Sequence, residues 1–248
     1  MSSEQIDSYQ KLYDELPFEE TMAAIRKKTV LKFLSTYNSK TLLEIGCGND
    51  SIVNHYRRFE NAIIVEPSKV FFERLRHLKI AQLRKVVCVN DFFSAELKSI
   101  VDFGKVDAIL VSALLHEVPS PEKLLNDIFE VAPAQTVIHI NVPNANSFHR
   151  LLALEASLIK DVNELSAQQI KLNQLFTFNL TMLEKLVTSC GFKIIEKGSF
   201  FIKPFTHLQM HHIKNHELFN DNIILGLENM IKYFPDNGAE IFVNAVKL

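Results

Sequence analysis

The chain has 248 residues, 47% of them hydrophobic, with 27 basic against 29 acidic side chains and a net charge of −2. It is long and apolar enough for one sizeable core, and its balance argues against disorder and against a polyanion-binding surface. No apolar stretch approaches the ~20 residues that cross a bilayer, and the start Met-Ser-Ser-Glu-Gln-Ile-Asp has no basic segment followed by an apolar one, so a cytoplasmic protein, monomer or homodimer, without nucleic-acid or membrane partners is expected.

In chain order, Ile6, Tyr9, Tyr13 and Leu16 recur with helical spacing, and after Pro17 a second pattern runs through Met22, Ile25, Val30, Phe33 and Leu34, which predicts two helices. From Thr41 short β-branched runs alternate with amphipathic segments, the signature of a parallel sheet covered by helices. Strands are expected near 41–46, 61–66, 85–89, 106–111 and 135–141, and helices over 51–59, 68–77, 94–99 and 121–131. Ser68 and Ser120 are suited to N-caps and Pro121 to a first helical turn. Beyond Pro143 a loosely amphipathic stretch runs from 147 to about 175, and a helix over 179–189 stops at Gly191, a natural C-terminal cap. Strand character follows at 192–196 and 199–203 and again at 241–246, separated by a polar span with a helix-like segment at 217–233. That span is too long for a bare loop. Helical elaborations are therefore expected at 147–175 and 207–234, on the sheet edge where a substrate would sit. Cys47, Cys88 and Cys190 show no C-x-x-C spacing and leave one over, which argues against a disulfide framework or a zinc knuckle.

The most specific signal lies at Leu42-Leu43-Glu44-Ile45-Gly46-Cys47-Gly48-Asn49-Asp50. An apolar run breaks into a Gly-x-Gly turn, where residues lacking a Cβ let the backbone approach a ligand. A second run, Ala62-Ile63-Ile64-Val65, ends in Glu66, 20 residues after Gly46, the spacing of a carboxylate that receives ribose hydroxyls. Together these read as a nucleoside-cofactor site. A dinucleotide is the rival: Gly46-x-Gly48-x-x-Ser51 falls one glycine short of that fingerprint, and Glu66 suits either ribose. Position 50 is Asp, which could accept from a cofactor ammonium group or cap a helix.

These pieces, with Val89-Asn90-Asp91-Phe92-Phe93, the segment 107–118 around His116 and the segment 142–150, resemble the class I S-adenosylmethionine-dependent methyltransferases, in particular small-molecule enzymes of bacterial secondary and surface-polysaccharide metabolism. The resemblance covers most of the chain. It implies an α/β, Rossmann-like fold with a seven-stranded, mostly parallel sheet flanked by helices, its last strand antiparallel, with a helical N-terminal lid and helical insertions. One domain would comprise a lid at 1–40, a cofactor-binding core at 41–141 and acceptor-side helices with closing strands at 142–248. S-adenosylmethionine would be the cofactor and S-adenosylhomocysteine its product. Glu44, Gly46 and Gly48 would line the methionine end, Glu66 with Pro67 would hold the ribose, and Asn90, Asp91 and Phe92 would frame the adenine. Ser112 would line the cofactor, and Tyr13 would contact it from the lid.

Methyl transfer asks the protein for positioning and proton removal. His116, a few residues past the fourth strand, sits where open α/β sheets place ligands, and an imidazole is suited to taking a proton; it is the expected base. Glu117 could orient it or bind substrate. Asn144 could reach the acceptor, and Arg150 offers a planar fork for carboxylate or phosphate. His207, His211, His212 and His216 are spaced for shared helix faces; contact of His207 with a polar substrate is favoured over a metal site, for which no acidic third ligand is placed. The expected reaction is O-methylation of a sugar or phosphorylated precursor of a surface polysaccharide, with N-methylation of a small metabolite or non-catalytic cofactor binding as alternatives.

Overall fold

The computed structural model describes residues 16–75, 85–172, 174–214 and 219–248. Within them the chain forms α1 (Glu19–Thr36), β1 (Thr41–Ile45), β2 (Asn61–Val65), α2 (Lys69–Leu75), β3 (Lys85–Val89), β4 (Ala108–Ser112), α3 (Pro121–Val131), β5 (Val137–Pro143), α4 (Phe148–Glu155), α5 (Ala167–Lys171), α6 (Leu180–Ser189), β6 (Lys193–Phe200), α7 (His207–Lys214), α8 (Asp221–Asn229) and β7 (Glu240–Val246), with short 3₁₀ turns between some of them. The seven strands lie in the order β3-β2-β1-β4-β5-β7-β6. β1 to β5 pair in parallel, and β7 runs antiparallel to both β5 and β6.

Side-chain alternation along the strands decides which helix each residue meets. Leu43, Ile45, Ile63, Val65, Ile109, Val111, Ile138, Ile140, Ile241 and Val243 share one core with Leu125 and Ile128 of α3 and Leu183 and Val187 of α6. Leu42, Ala62, Ile64, Ala108 and Leu110 face the other way, against Val30, Phe33 and Leu34 of α1. Parallel strands covered on both faces read as nearly unbroken apolar runs, so the polar residues that interrupt these runs stand out. Glu44, Ser112, Asn141 and Glu240 all belong to the α1 side, and they sit on the neighbouring strands β1, β4, β5 and β7 at the end of the sheet where the parallel strands terminate. A polar row thus crosses the carboxyl end of the sheet beneath α1. A third core, of Phe18, Met22, Ile25, Phe201, Met210 and Leu227, fixes α1 to α7 and α8.

The expected Rossmann-like sheet is present, with its strands within two residues of the expected positions through β5. Ser120 accepts from the N–H of Lys123 at 3.3 Å and Ser68 from that of Phe71 at 3.3 Å, so both act as N-caps. Several elements differ. The expected helix at 51–59 shrinks to a 3₁₀ turn at Ile52–Asn54, because Tyr56 turns inward to donate to the carbonyls of Leu34 and Ser39, both at 3.0 Å, and Phe59 is fully buried. The expected pair of strands at 192–196 and 199–203 is one strand, β6, with a register irregularity between Ile194 and Glu196, and it ends where Phe201 adopts φ +60°. The 147–175 stretch breaks into α4, α5 and an irregular connection. The helix expected around Tyr9 and Tyr13 lies outside the described residues, as does His216. Among the described residues no helix is long and apolar enough to cross a membrane.

Candidate functional site

The turn after β1 is built by two buried carboxylates. Gly46 and Gly48 adopt φ +72° and +56°, the left-handed region that glycine enters without strain. Glu66, at the end of β2, holds this turn: one oxygen accepts from the N–H of Gly48 at 3.2 Å and from the Cys47 thiol at 3.6 Å, the other from the N–H of Ser68 at 2.9 Å. Glu44 holds the far side, accepting from the Ser51 hydroxyl and from the N–H of Ile52 at 2.9 Å. Burial pushes the Glu44 carboxyl up to about 7, against the pull of those two hydrogen bonds. Burial likewise raises Glu66, offset in part by the N–H groups of Ser68 and Gly48. Two acids brought together under a loop of backbone N–H groups are poised for hydroxyls and a cation. A Cβ at Gly48 would meet nothing within 4 Å, so the turn opens onto space rather than onto protein.

That space is a cavity of about 1740 Å³ lined by Glu44, Gly46, Gly48, Glu66, Pro67 and Phe92 at one end. The same cavity reaches His116, Glu117, His149, Arg150, Lys203, His207 and Glu240. Phe92 is half exposed, with a ring able to cover a flat apolar ligand face. Ser112 lines the wall beside Ala113 and pairs in register with Asn141. The donors and acceptors at the glycine turn therefore fit a nucleoside carrying vicinal hydroxyls and a positive charge: Glu66 brings a buried carboxylate to the cavity wall, and Glu44 is a buried acid whose ionisation a cation would favour.

At the other end α1 meets the polar row of the sheet. Arg26 donates through Nε to both oxygens of Glu240 at 3.0 Å and through Nη2 to Oε1 at 2.5 Å, and it reaches Glu19 at 3.3 Å. Asn141 donates to Glu240 at 2.7 Å. Glu19 also faces Nε2 of His207 at 3.4 Å, whose Nδ1 takes a hydrogen bond from Lys203 Nζ at 2.9 Å. Lys203 is only 3% exposed, and burial pulls its ammonium down to about 8. Neither Glu19 nor Glu240 stood out in the sequence as a site residue. The signal that could have found Glu240 is its place in register within an otherwise apolar strand.

The side chain of His116 is buried, its Nδ1 enclosed with no hydrogen-bond partner among the described residues and its Nε2 3.4 Å from Glu117. Four expected contacts are reassigned. Asn90 is not among the residues lining the cavity; its amide donates to the carbonyls of Glu66 at 2.8 Å and Pro67 at 3.2 Å and so braces the acidic turn. Asp91 accepts from the N–H of Phe92 at 2.7 Å and sets that ring's approach. Asn144 borders the cavity, but its amide is spent on the carbonyls of Asp236 and Gly238, both at 2.9 Å. The fork of Arg150 binds the carbonyls of Val162, at 2.9 Å, and Glu164, and the amide oxygen of Gln169 at 3.2 Å, which ties the α4–α5 connection to the cavity wall. Asp50 does not cap the 3₁₀ turn: it borders the cavity while pairing with Lys27 of α1 and with His55 at 2.7 Å, and Ser51 is the cap. Tyr13 lies outside the described residues. Among those residues no three His, Cys, Asp or Glu groups gather to hold a metal ion.

A family model described as a methyltransferase domain matches residues 18–197. No curated protein matches the chain in sequence. Among solved structures, the plantazolicin methyltransferase BamL, in complex with a triazolic desmethylPZN analog and SAH, is 16% identical over 99% of this chain and 96% of its own, with a TM-score of 0.58. The N-methyltransferase NodS from Bradyrhizobium japonicum WM9 is 10% identical over 94% of this chain and 98% of its own, at 0.55. A SAM-dependent methyltransferase from Archaeoglobus fulgidus is 16% identical over 89% and 94%, at 0.52. At such identities the likeness is one of fold.

Proposed function

We propose, on the premise that this chain belongs to the methyltransferase-domain family, that it moves the methyl group of S-adenosylmethionine onto a small polar acceptor and releases S-adenosylhomocysteine. The observation that carries this reading is the single cavity that joins the acid-lined glycine turn to a second, strongly polar end. When bound, the cofactor supplies a methyl carbon held by a cationic sulfur, an electrophile that needs no metal and no redox partner. The chain's own residues do the rest. Glu66, whose carboxylate reaches the cavity wall, receives ribose hydroxyls, Glu44 and the Gly46–Gly48 backbone border the methionine end, and Phe92 covers the base. His116 takes the proton of a hydroxyl acceptor through Nε2 as the new bond to carbon forms, since Nδ1 is enclosed. Glu117, facing Nε2, steadies the imidazolium.

The finer reading is O-methylation of a sugar or of a phosphorylated precursor in surface-polysaccharide synthesis. It is supported by a polar far end of the cavity, rich in histidine and cationic groups, and by the need for a base that a hydroxyl imposes and a free amine does not. The test begins with calorimetry of both forms of the cofactor. Micromolar binding is expected, and absence of binding at about 10 μM, or preference for a nicotinamide dinucleotide, refutes the cofactor assignment. Methyl incorporation is then followed by mass across nucleotide sugars, phosphorylated small molecules and amines. His116→Gln should keep cofactor affinity and lower hydroxyl methylation by about 10²- to 10⁴-fold; full activity in that variant removes the base, turnover of amines alone establishes N-methylation, and binding without any turnover leaves a non-catalytic binder.

A further inference from the structure

Three cations gather at the far end of the cavity, and their partners differ. Arg26, Arg150 and Lys203 face Glu19 and Glu240 there. Both carboxylates are gripped by Arg26. The Arg150 fork is spent on the α4–α5 connection. Lys203 is different: among the described residues its ammonium donates only to Nδ1 of His207, at 2.9 Å, and no carboxylate lies within ion-pair distance of it. An ammonium has three donors, and a buried charge left with one neutral partner is costly unless something else completes its shell. His149, from α4, borders the same space, with Nδ1 3.0 Å from the Ser147 hydroxyl. A serine that donates to Nδ1 leaves Nε2–H as a further donor.

The field at this place is consistent with the geometry. Burial first, and then the charges of Lys203, His207 and Arg150, hold His149 well below the usual histidine range, and burial followed by Lys203 lowers His207 in spite of Glu19. Burial is the main reason that both histidines stay neutral, and the part added by Lys203 shows that its charge is felt at each of them.

We propose that Lys203, with the neutral imidazole of His149 beside it, forms a subsite for an oxyanion group of the acceptor, a carboxylate or a phosphate, and so makes the protein a methyltransferase for acidic rather than uncharged small molecules. This rests on the methyl-transfer reading for its consequence, but the subsite exists or fails on its own. His207 is its positioning residue: neutral at Nδ1 and anchored to Glu19 through Nε2, it aims the ammonium into the cavity.

The test is calorimetric titration of the full chain with inorganic phosphate and, separately, with acetate, at pH 7 and constant ionic strength, with and without S-adenosylhomocysteine. At least one of the two ions should bind saturably, and which one binds more tightly identifies the acceptor's group. Lys203→Met should weaken that ion at least tenfold while leaving S-adenosylhomocysteine affinity unchanged, and Lys203→Arg should stay within a few fold of the natural protein. For acetate, which does not titrate in this range, affinity should fall as pH rises from 7 to 9.5 and Lys203 loses its proton. This arm needs no variant and decides the matter should Lys203→Met fail to fold. Equal ion affinity in Lys203→Met, or failure of both ions to bind the natural protein, overturns the proposal. Failure of S-adenosylhomocysteine alone overturns the methyl-transfer reading and leaves the subsite standing.

Discussion

Replacing Glu44 by Gln tests whether the acid beneath the glycine turn is kept at a cost to the fold. Its carboxyl is pushed up to about 7 from an ordinary 4.5, and a difference of that size is worth about 3 kcal/mol. The sign follows from linkage. A carboxyl whose folded value lies above its unfolded one favours the native state fully below about 4.5 and loses that advantage as pH climbs through 7, so above neutrality its ionisation opposes folding. Glutamine cannot ionise. Its carbonyl can still accept from the N–H of Ile52, while its amide must donate toward the Ser51 oxygen where the carboxylate accepted, a change that returns about 1 kcal/mol of the gain. Urea denaturation should therefore find Glu44→Gln more stable than the natural chain by about 2 kcal/mol at pH 8.5 and indistinguishable from it near pH 5. In the same variant, affinity for S-adenosylmethionine, whose charges a carboxylate can offset, should fall by about tenfold or more. A variant that is destabilised equally at both pH values would show that Glu44 is a structural hydrogen-bond acceptor and nothing else.

Gly48→Val should cost about 1–3 kcal/mol, because a β-branched residue resists φ +56°, and should weaken S-adenosylhomocysteine by more than Gly48→Ala does, since the added atoms project into open cavity rather than into protein; equal affinities would place the ligand elsewhere. Arg150→Lys keeps the charge but loses the planar fork, so the 156–166 connection should be cut faster by protease with cofactor affinity unchanged; an uncut connection would mean that the carbonyl contacts of Val162 and Glu164 are incidental.

The sheet was largely legible in the sequence because its strands are buried on both faces and read as short apolar runs. The acids Glu44 and Glu66 were legible for the same reason, as charges at the ends of such runs. What escaped reading was any contact made between distant parts of the chain. Arg26 and Glu240 are 214 residues apart, and nothing local in either announces the other. Arg150 and Asn144 looked like ligand-binding side chains because their chemistry is general: the same fork that suits a phosphate suits three protein oxygens, and only the fold says which is near. The helix expected at 51–59 failed because periodicity does not register that Tyr56 has two carbonyls to satisfy. Phe201 ended β6 early through a left-handed backbone that no residue type signals.

The placement of Arg26 and Lys27 on α1 has a mechanical consequence. These consecutive residues reach opposite ends of the cavity, Arg26 through Glu240 and Lys27 through Asp50 beside the glycine turn. The helix that carries them is packed into two of the three cores. It is therefore one fixed wall common to both ends, and a core substitution that tilts it should disturb the glycine turn and the Glu240 cluster together.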